Sequence, residues 1–419
     1  MLKAEENALL TRTGPGTPMG ALFRRYWLPV LLAEELPAPD GEPKAVRLLG
    51  EDLVAFRDTR GQVGLLGAQC AHRGAPLAYG RNEECGLRCL YHGWKYDTEG
   101  RVVDMPNVAA GSIYRDRVRH TAYPTREVAG VVWAYLGPPE QEPPFRAWEW
   151  THAPPEQLGV YKILESCNWA QGIEGTIDTT HTDFLHSADV RGRPRDHAPI
   201  LETQDTAYGF RYAAIRQPDT DADRTQYVRV SVFALPCFAM FPPLRGRGVR
   251  GMADGDEVIV QQAFVPIDDE HTWFYSFAYS RRGPLPAYWR NYPREFGLAG
   301  NVGVPAGNRA NKHLQDYAAL KTESWSGIKG VNCQDFAMAE GMGPILDRTR
   351  EHLVPADMAV IAFRRLMLQQ ARALAAGEPP RGLGADVPWE RLSSDERTIP
   401  REQPWQAVAA FAGEPVPSV

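Results

Sequence analysis

Apolar and polar positions are patterned on two different scales along this chain. From residue 45 to residue 66, short apolar runs (46–49, 53–56, 63–66) are separated by Gly50-Glu51-Asp52 and Asp58-Thr59-Arg60-Gly61. Short runs broken by Gly and Asp predict strands joined as hairpins. The same punctuation continues through 86–90, 94–96 and 102–103, with a turn at Glu99-Gly100, and 131–136 reads as a buried closing strand. Pro138-Pro139 and Pro143-Pro144 then interrupt regular structure and place a boundary near residue 145. Residues 36–145 are therefore expected to form a small all-β domain, after a lead-in over 1–35 with one short helix.

Beyond residue 145 the period lengthens. Alternating runs at 159–164, 210–215, 227–233, 258–265 and 273–279 predict one antiparallel sheet. Helical patterns lie at 168–187, 308–325 and 357–376, the last with Asp357 as N-cap and Gly377 just past its end. The expected class is α+β: an all-β domain, then a domain of sheet and long helices over 146–377. Seven prolines fall in 378–419, which predicts an extended, wrapping tail.

Composition narrows the function more than the fold. A chain of 419 residues can build two or three domains. Net charge is mild at −6, and no run of five basic residues or basic stripe with interleaved aromatics exists, which argues against nucleic-acid binding. There is no apolar leader and no run of 18 apolar residues, so a soluble, cytoplasmic protein is expected. Six cysteines spread over this length do not make a disulfide framework.

Two cysteines sit in paired motifs. Residues 70–74 read Cys-Ala-His-Arg-Gly and residues 89–94 read Cys-Leu-Tyr-His-Gly-Trp, a C-x-H and a C-x2-H separated by sixteen residues. Two thiolates and two imidazoles on paired loops suit a [2Fe–2S] centre of Rieske type, in which Cys holds one iron and His the other. Cys70, His72, Cys89 and His92 are the candidate ligands. Zinc is the competing reading, but structural zinc sites usually pair like ligands, and here each pair mixes Cys with His.

A second constellation, D-x2-H-x4-H, comprises Asp178, His181 and His186. Two His with one distant carboxylate form the facial triad of non-haem Fe(II) oxygenases. On a regular helix His181 and His186 would point about 140° apart, so convergence on one metal predicts a π-bulge or a break between them.

The loops CAHRGAP and CLYHGWKYD, followed by this second motif, resemble the Rieske non-haem iron ring-hydroxylating oxygenases. Residues 19–27, 80–84 and 342–353 resemble the phthalate dioxygenase-like branch of their alpha subunits. The resemblance covers about residues 18–376 and implies a helix-grip catalytic domain, a Rieske cluster and a mononuclear Fe(II). It implies that the third iron ligand is an Asp on a late helix. Asp335, in a Gln-Asp pair, matches best, with Asp347 as runner-up. It gives Asp178 another role: a carboxylate that bridges an iron-ligand His to a cluster His (His92 or His72) of the next subunit. A head-to-tail homotrimer, or a dimer of trimers, follows. So does a separate flavin and iron–sulfur reductase drawing on NAD(P)H.

The implied activity is that of a terminal oxygenase in aromatic compound catabolism, a dioxygenase or else a monooxygenase or O-demethylase. An electron carrier with only the cluster, and a zinc-containing binding module, are the other classes. Among Arg211, Arg216, Arg229, Arg245 and Arg247, which lie amid aromatic strand residues, Arg211 or Arg245 is the expected anchor for a substrate carboxylate.

Overall fold

The computed structural model describes residues 1–109, 112–187, 198–218, 221–385 and 387–410; the Arg247 side chain lies outside what is described. The fold is α+β, as expected. Three small antiparallel sheets come first. Lys44–Leu48, Glu51–Arg57, Val63–Gly67 and Ala122–Tyr123 form one. Arg81–Glu83, Gly86–Arg88, Lys95–Tyr96 and Val102–Asp104 form the second. The third pairs Val131–Tyr135 with Trp27–Leu32 and Thr125–Val128. The lead-in thus supplies a strand and two helices, Ala4–Thr11 and Pro18–Phe23, rather than one short helix.

Three of the hairpins close through two residues that both have positive φ: Leu49-Gly50, Glu84-Cys85 and Ala129-Gly130. A type I′ turn needs this, because its twist matches that of the flanking strands. Glu84-Cys85 meets the requirement without a glycine, at φ 47° and 60°. Cys85 is therefore a turn residue.

The second half is built on a ten-stranded sheet. Its path runs Ile200–Asp205, Gly209–Arg216, Thr225–Ala234, Phe238–Met240, Glu257–Pro266, Thr272–Tyr279, Leu158–Glu165 and Val302–Gly303. All pairings along it are antiparallel except the last, where Val302–Gly303 runs parallel to Leu158–Glu165. The tail does more than wrap: Asp395–Pro400 pairs with Thr225–Ala234, register Thr225 to Pro400.

Helices are shorter than the periodicity suggests. The pattern over 168–187 yields a helix only at Trp169–Ile177, with Asn168 capping Ala170 N–H, followed by a 3-10 turn at His181–Asp183. The pattern over 308–325 breaks into Arg309–Leu314, a 3-10 segment, and Tyr317–Thr322. Met358–Ala375 is the long helix, and Gly377 follows it at φ 91°. Its Phe363 is fully buried, with ring centroids 5.1 Å from Phe233 on the sheet and 5.7 Å from Trp169.

One large core joins the two halves. Trp133 and Trp150 stack at 6.1 Å, and Trp150 lies 4.2 Å from Phe277 of the large sheet. A separate small core, including Val54, Phe56, Leu66, Leu77, Trp94 and Tyr96, surrounds Cys70 and Cys89. No helix among the described residues is long and apolar enough to cross a membrane.

Candidate metal centres and catalytic cavity

The two Cys-His loops share one backbone design. Cys70 N–H donates to Ala75 O and Gly74 N–H to Cys70 O; Cys89 N–H donates to Trp94 O and Gly93 N–H to Cys89 O. Each closing glycine has positive φ, 70° and 75°, where a Cβ would be strained. The repetition points both Cys–His pairs into one space. Cys70 and Cys89 are buried side by side, and burial followed by the neighbouring Cys70 thiol pushes the Cys89 thiol up. Cys70 Sγ lies 3.0 Å from the Tyr96 hydroxyl. The His72 and His92 rings meet edge-on at 4.5 Å, and His72 stacks on Trp94. Burial, then His72 and Arg73, pull the His92 imidazole down towards its neutral form. His72 Nδ1 is buried with no hydrogen-bond partner among the described residues. Paired thiols beside paired imidazoles, one with an orphaned ring nitrogen, fit a cluster ligated by two Cys and two His.

The second centre depends on the helix ending at Ile177. Asp178 leaves helical geometry at φ −73°, ψ 115°, so it does not share a helix face with His181. Its Oδ1 accepts from Thr180 N and Thr180 Oγ1 at 2.8 and 2.6 Å. This small turn sends His181 inward; the 3-10 turn after it is tied by Asp183 to Arg216 at 2.7 Å. The irregularity required for convergence is thus a break, not a π-bulge.

His181 Nε2 and His186 Nε2 lie 3.0 Å apart. Asp335 Oδ1, from the helix Val331–Gly341, lies 2.9 Å from His186 Nε2 and 3.4 Å from His181 Nε2. These three residues form a group that could hold a metal ion. Burial opposes a charge on His181, but Asp178 and Asp335 outweigh it and hold the imidazole up at about 10. Burial likewise opposes ionisation of Asp335, yet His186 and His181 keep its carboxylate well below the usual range. Asp178 Oδ2 stands 3.6 Å from His181 Nδ1, longer than a hydrogen bond, so its pull is electrostatic. Two ring nitrogens and a carboxylate oxygen facing one point, with a proton where a metal would sit, fit a divalent iron. The runner-up Asp347 is exposed and instead accepts from Thr349 N–H and Oγ1.

Gln334 is a functional residue that sequence reasoning passed over. Its Oε1 lies 2.6 Å from His186 Nδ1, and its Nε2 donates to Ile328 O at 2.8 Å. The amide is therefore fixed in orientation and makes His186 Nδ1 the protonated nitrogen, leaving Nε2 for a metal. Its place beside Asp335 in the helix was the available signal.

A cavity of about 100 Å³ opens on His181, His186 and Asp335, walled by Tyr288, Trp289, Tyr292 and Phe241. Among the described residues the arginines on it are Arg229 and Arg250, not the two expected. Arg211 packs over Trp405 and donates to the carbonyls of Gln406 and Val408. Arg245 pairs with Glu257 and Asp395, both at 2.9 Å. Both expected anchors are thus engaged by the tail, away from the triad. A cavity of about 640 Å³ lies elsewhere, against Cys333 and Phe336, and shares Arg250 with this one among the described residues.

Residues 26–123 match the model of the Rieske [2Fe-2S] domain, and residues 134–415 match the model described as LigXa C-terminal domain like. The phthalate 4,5-dioxygenase oxygenase subunit of Pseudomonas putida is 42% identical over 97% of this chain and 94% of its own length. The 3-chlorobenzoate-3,4-dioxygenase oxygenase subunit of Comamonas testosteroni is 36% identical over 97% of each chain. Among solved structures, Pseudomonas putida CBB5 NdmA with caffeine is similar in fold, with a TM-score of 0.63 at 19% identity over 86% of this chain and 94% of that one.

Proposed function

The chain belongs to the Rieske non-haem iron oxygenases, as a terminal oxygenase subunit with a [2Fe–2S] cluster and a mononuclear iron, and on that premise we propose that its substrate is a carboxylated aromatic. The carrying observation is the pair Arg229 and Arg250 on an aromatic-walled cavity that ends at the histidine and aspartate side chains. Arg229 also donates to Thr179 and lies 3.5 Å from Glu396, and Arg250 lies 3.6 Å from Glu295, so a substrate carboxylate would share them with those groups. Tyr288, Trp289 and Phe241 offer flat apolar faces for a ring, and an arginine can take a carboxylate bidentately and fix the ring's orientation. The two named relatives act, by their names, on phthalate and 3-chlorobenzoate, both acids of this class.

We assign Cys70, His72, Cys89 and His92 to the cluster, and His181, His186 and Asp335 to the iron. When bound, the cluster supplies electrons and the iron supplies the dioxygen chemistry. The chain's own residues do the rest. Gln334 holds the tautomer of His186, and Asp178 orients His181. The aromatic walls exclude water from the ring, and the arginines orient it. Dihydroxylation is the favoured outcome.

Asp178 also carries the proposed subunit bridge to His92 or His72 of the partner subunit, in a head-to-tail trimer or dimer of trimers. In support, exposed apolar side chains surround both centres: Tyr79, Leu90 and Tyr91 near the cluster loops, and Phe184 with Trp325, each 62% exposed, near the triad. An oxygenase subunit takes electrons from a partner, which we assign as a flavin and iron–sulfur reductase using NAD(P)H. All six cysteines are unpaired, which supports a reducing, cytoplasmic setting. We put the cluster unit at 36–145 and the catalytic unit at 146–377; in support, the large sheet draws all its strands from beyond residue 145, the tail strand Asp395–Pro400 included.

The test is a single turnover of chemically reduced protein under 18O2 with phthalate and 3-chlorobenzoate, against their neutral amides. Oxygenated acid with two labelled atoms is expected, and little product from the amides. Equal turnover of the amides would replace the carboxylate reading with a neutral aromatic or aryl ether, and a single labelled atom would favour monooxygenation or demethylation.

A further inference from the structure

A second cavity reaches the triad from the opposite side. It measures about 330 Å³ and shares Thr176, Asp178, His181, Asn332 and Asp335 with the arginine-lined cavity. From there it runs between the helices Trp169–Ile177, Val331–Gly341 and Met358–Ala375, past Phe264, Phe274 and Phe336. Met338 and Met342 also line it and are 45% and 53% exposed, so this end opens at the surface.

Its charge sets it apart from the first cavity. No Lys or Arg is among its described lining residues. Among its six described lining acids, five are paired or buried, and the sixth, Asp357, accepts from Val354 N–H at 2.7 Å. Glu174 and Glu351 are neutralised by Arg348 and Arg364. Asp178 and Asp335 face the histidines. Glu165, 1% exposed, has an Oε2 with no hydrogen-bond partner among the described residues. Burial pushes its carboxyl well above the usual carboxylate range, against its charged form. An anionic aromatic finds no counter-charge on this wall, whereas a small uncharged molecule loses nothing by entering. Where Phe264, Phe274 and Phe336 line it the wall is apolar, the kind of surface on which xenon and small apolar ligands settle.

We propose that this second cavity is the dioxygen passage: O2 enters at Met338 and Met342 and reaches the iron-ligand side chains without crossing the space that the aromatic acid fills. The proposal rests on the oxygenase reading of the triad and adds an entry order. Once a ring occupies the cavity at Arg229 and Arg250, the route past Gly175 is still open. Gly175 lines the passage, and a Cβ built on it meets no atom within 4 Å. A larger side chain there would project into the passage without striking the protein. Gly172, one helical turn earlier, has no such room, since its Cβ would lie 2.3 Å from Phe264.

Crystals of the iron-loaded protein pressurised with xenon test the idea directly. Xenon is expected between Gly175 and Phe336, and it should be absent in Gly175→Leu and reduced in Gly175→Ala. In the same crystals 3-bromobenzoate should place its bromine in the arginine-lined cavity of all three proteins. In solution, Gly175→Leu should bind nitric oxide at Fe(II) several-fold more slowly with bromobenzoate present, while iron content and bromobenzoate affinity stay unchanged. Xenon only in the arginine-lined cavity, bromine in the Gly175 cavity, or an unchanged nitric oxide rate in both variants would each overturn the proposal. The xenon arm needs no aromatic ligand, so it decides the passage even where the bromobenzoate result overturns the substrate reading.

Discussion

The two metal regions solve the same problem, holding imidazoles at a fixed point, by opposite means. The cluster loops draw all four candidate ligands from one stretch, residues 70–92, and each loop closes on its own backbone through the same pair of N–H···O bonds. They carry their own small core. No carboxylate stands against their imidazoles among the described contacts, and the His92 ring is pulled towards neutrality. The triad instead joins His186 to a helix 148 residues away, through Gln334 and its neighbour Asp335. There His181 is flanked by two carboxylates and held up at about 10. An imidazole pair beside thiols suits electron exchange at a closed site, and an acid-flanked pair suits capture of a cation with positions left open. A local loop needs only its own sequence, while an assembled site needs the whole fold.

That contrast can be broken most severely by stripping each region alone. Cys89→Ser is expected to remove all cluster colour and the rhombic EPR signal, with iron falling from about three to about one per chain. Asp335→Ala should do the reverse, keeping the cluster and losing the mononuclear iron and all turnover, while Asp347→Ala changes neither. Metal analysis beside EPR reads both; loss of both metals from either variant would mean the regions are not independent.

Next in size is Asp178→Asn. Both metals should bind, yet reoxidation of the reduced cluster by O2 with phthalate present should slow about 10- to 100-fold, measured by stopped flow. Loss of iron instead would make Asp178 a ligand. Gln334→Leu should cost about tenfold in Fe(II) affinity through a misoriented His186, with Gln334→Glu recovering most of it. An unchanged affinity would reduce the 2.6 Å contact to packing.

The smallest expected effect is on pH dependence. In metal-free protein His181 carries a proton below about pH 10, because Asp178 and Asp335 stabilise its charged form against burial. Fe(II) must displace that proton, so apparent affinity should rise with pH from 6 to 9 and fall as the solution is acidified. Calorimetry in buffers of different ionisation enthalpy should show about one proton released per iron. Release of none at pH 7 would place His181 in its neutral form.

Much of this was legible from spacing. The C-x-H and C-x2-H pairs, their closing glycines, and the D-x2-H-x4-H motif all act over a few residues, where chain geometry leaves little freedom. Resemblance carried Asp335 across the long gap, since nothing local links it to His186. The arginines went the other way. Arg211 and Arg245 read as substrate anchors because they stand amid aromatic strand residues, yet the tail decided their fate. Asp395–Pro400 adds itself to the sheet, Asp395 takes Arg245, and the carbonyls of Gln406 and Val408 take Arg211. The helix over 168–187 failed for a related reason: Asp178 and Thr180 prefer their own Asx turn to another helical turn. The sequence by itself determined which residues could bind metal and how each short loop must bend, because those choices are made within one turn of chain. Only the tertiary structure decided which charges meet and which of the two described cavities carries arginines. A buried charge takes its partner from whatever strand the fold brings beside it.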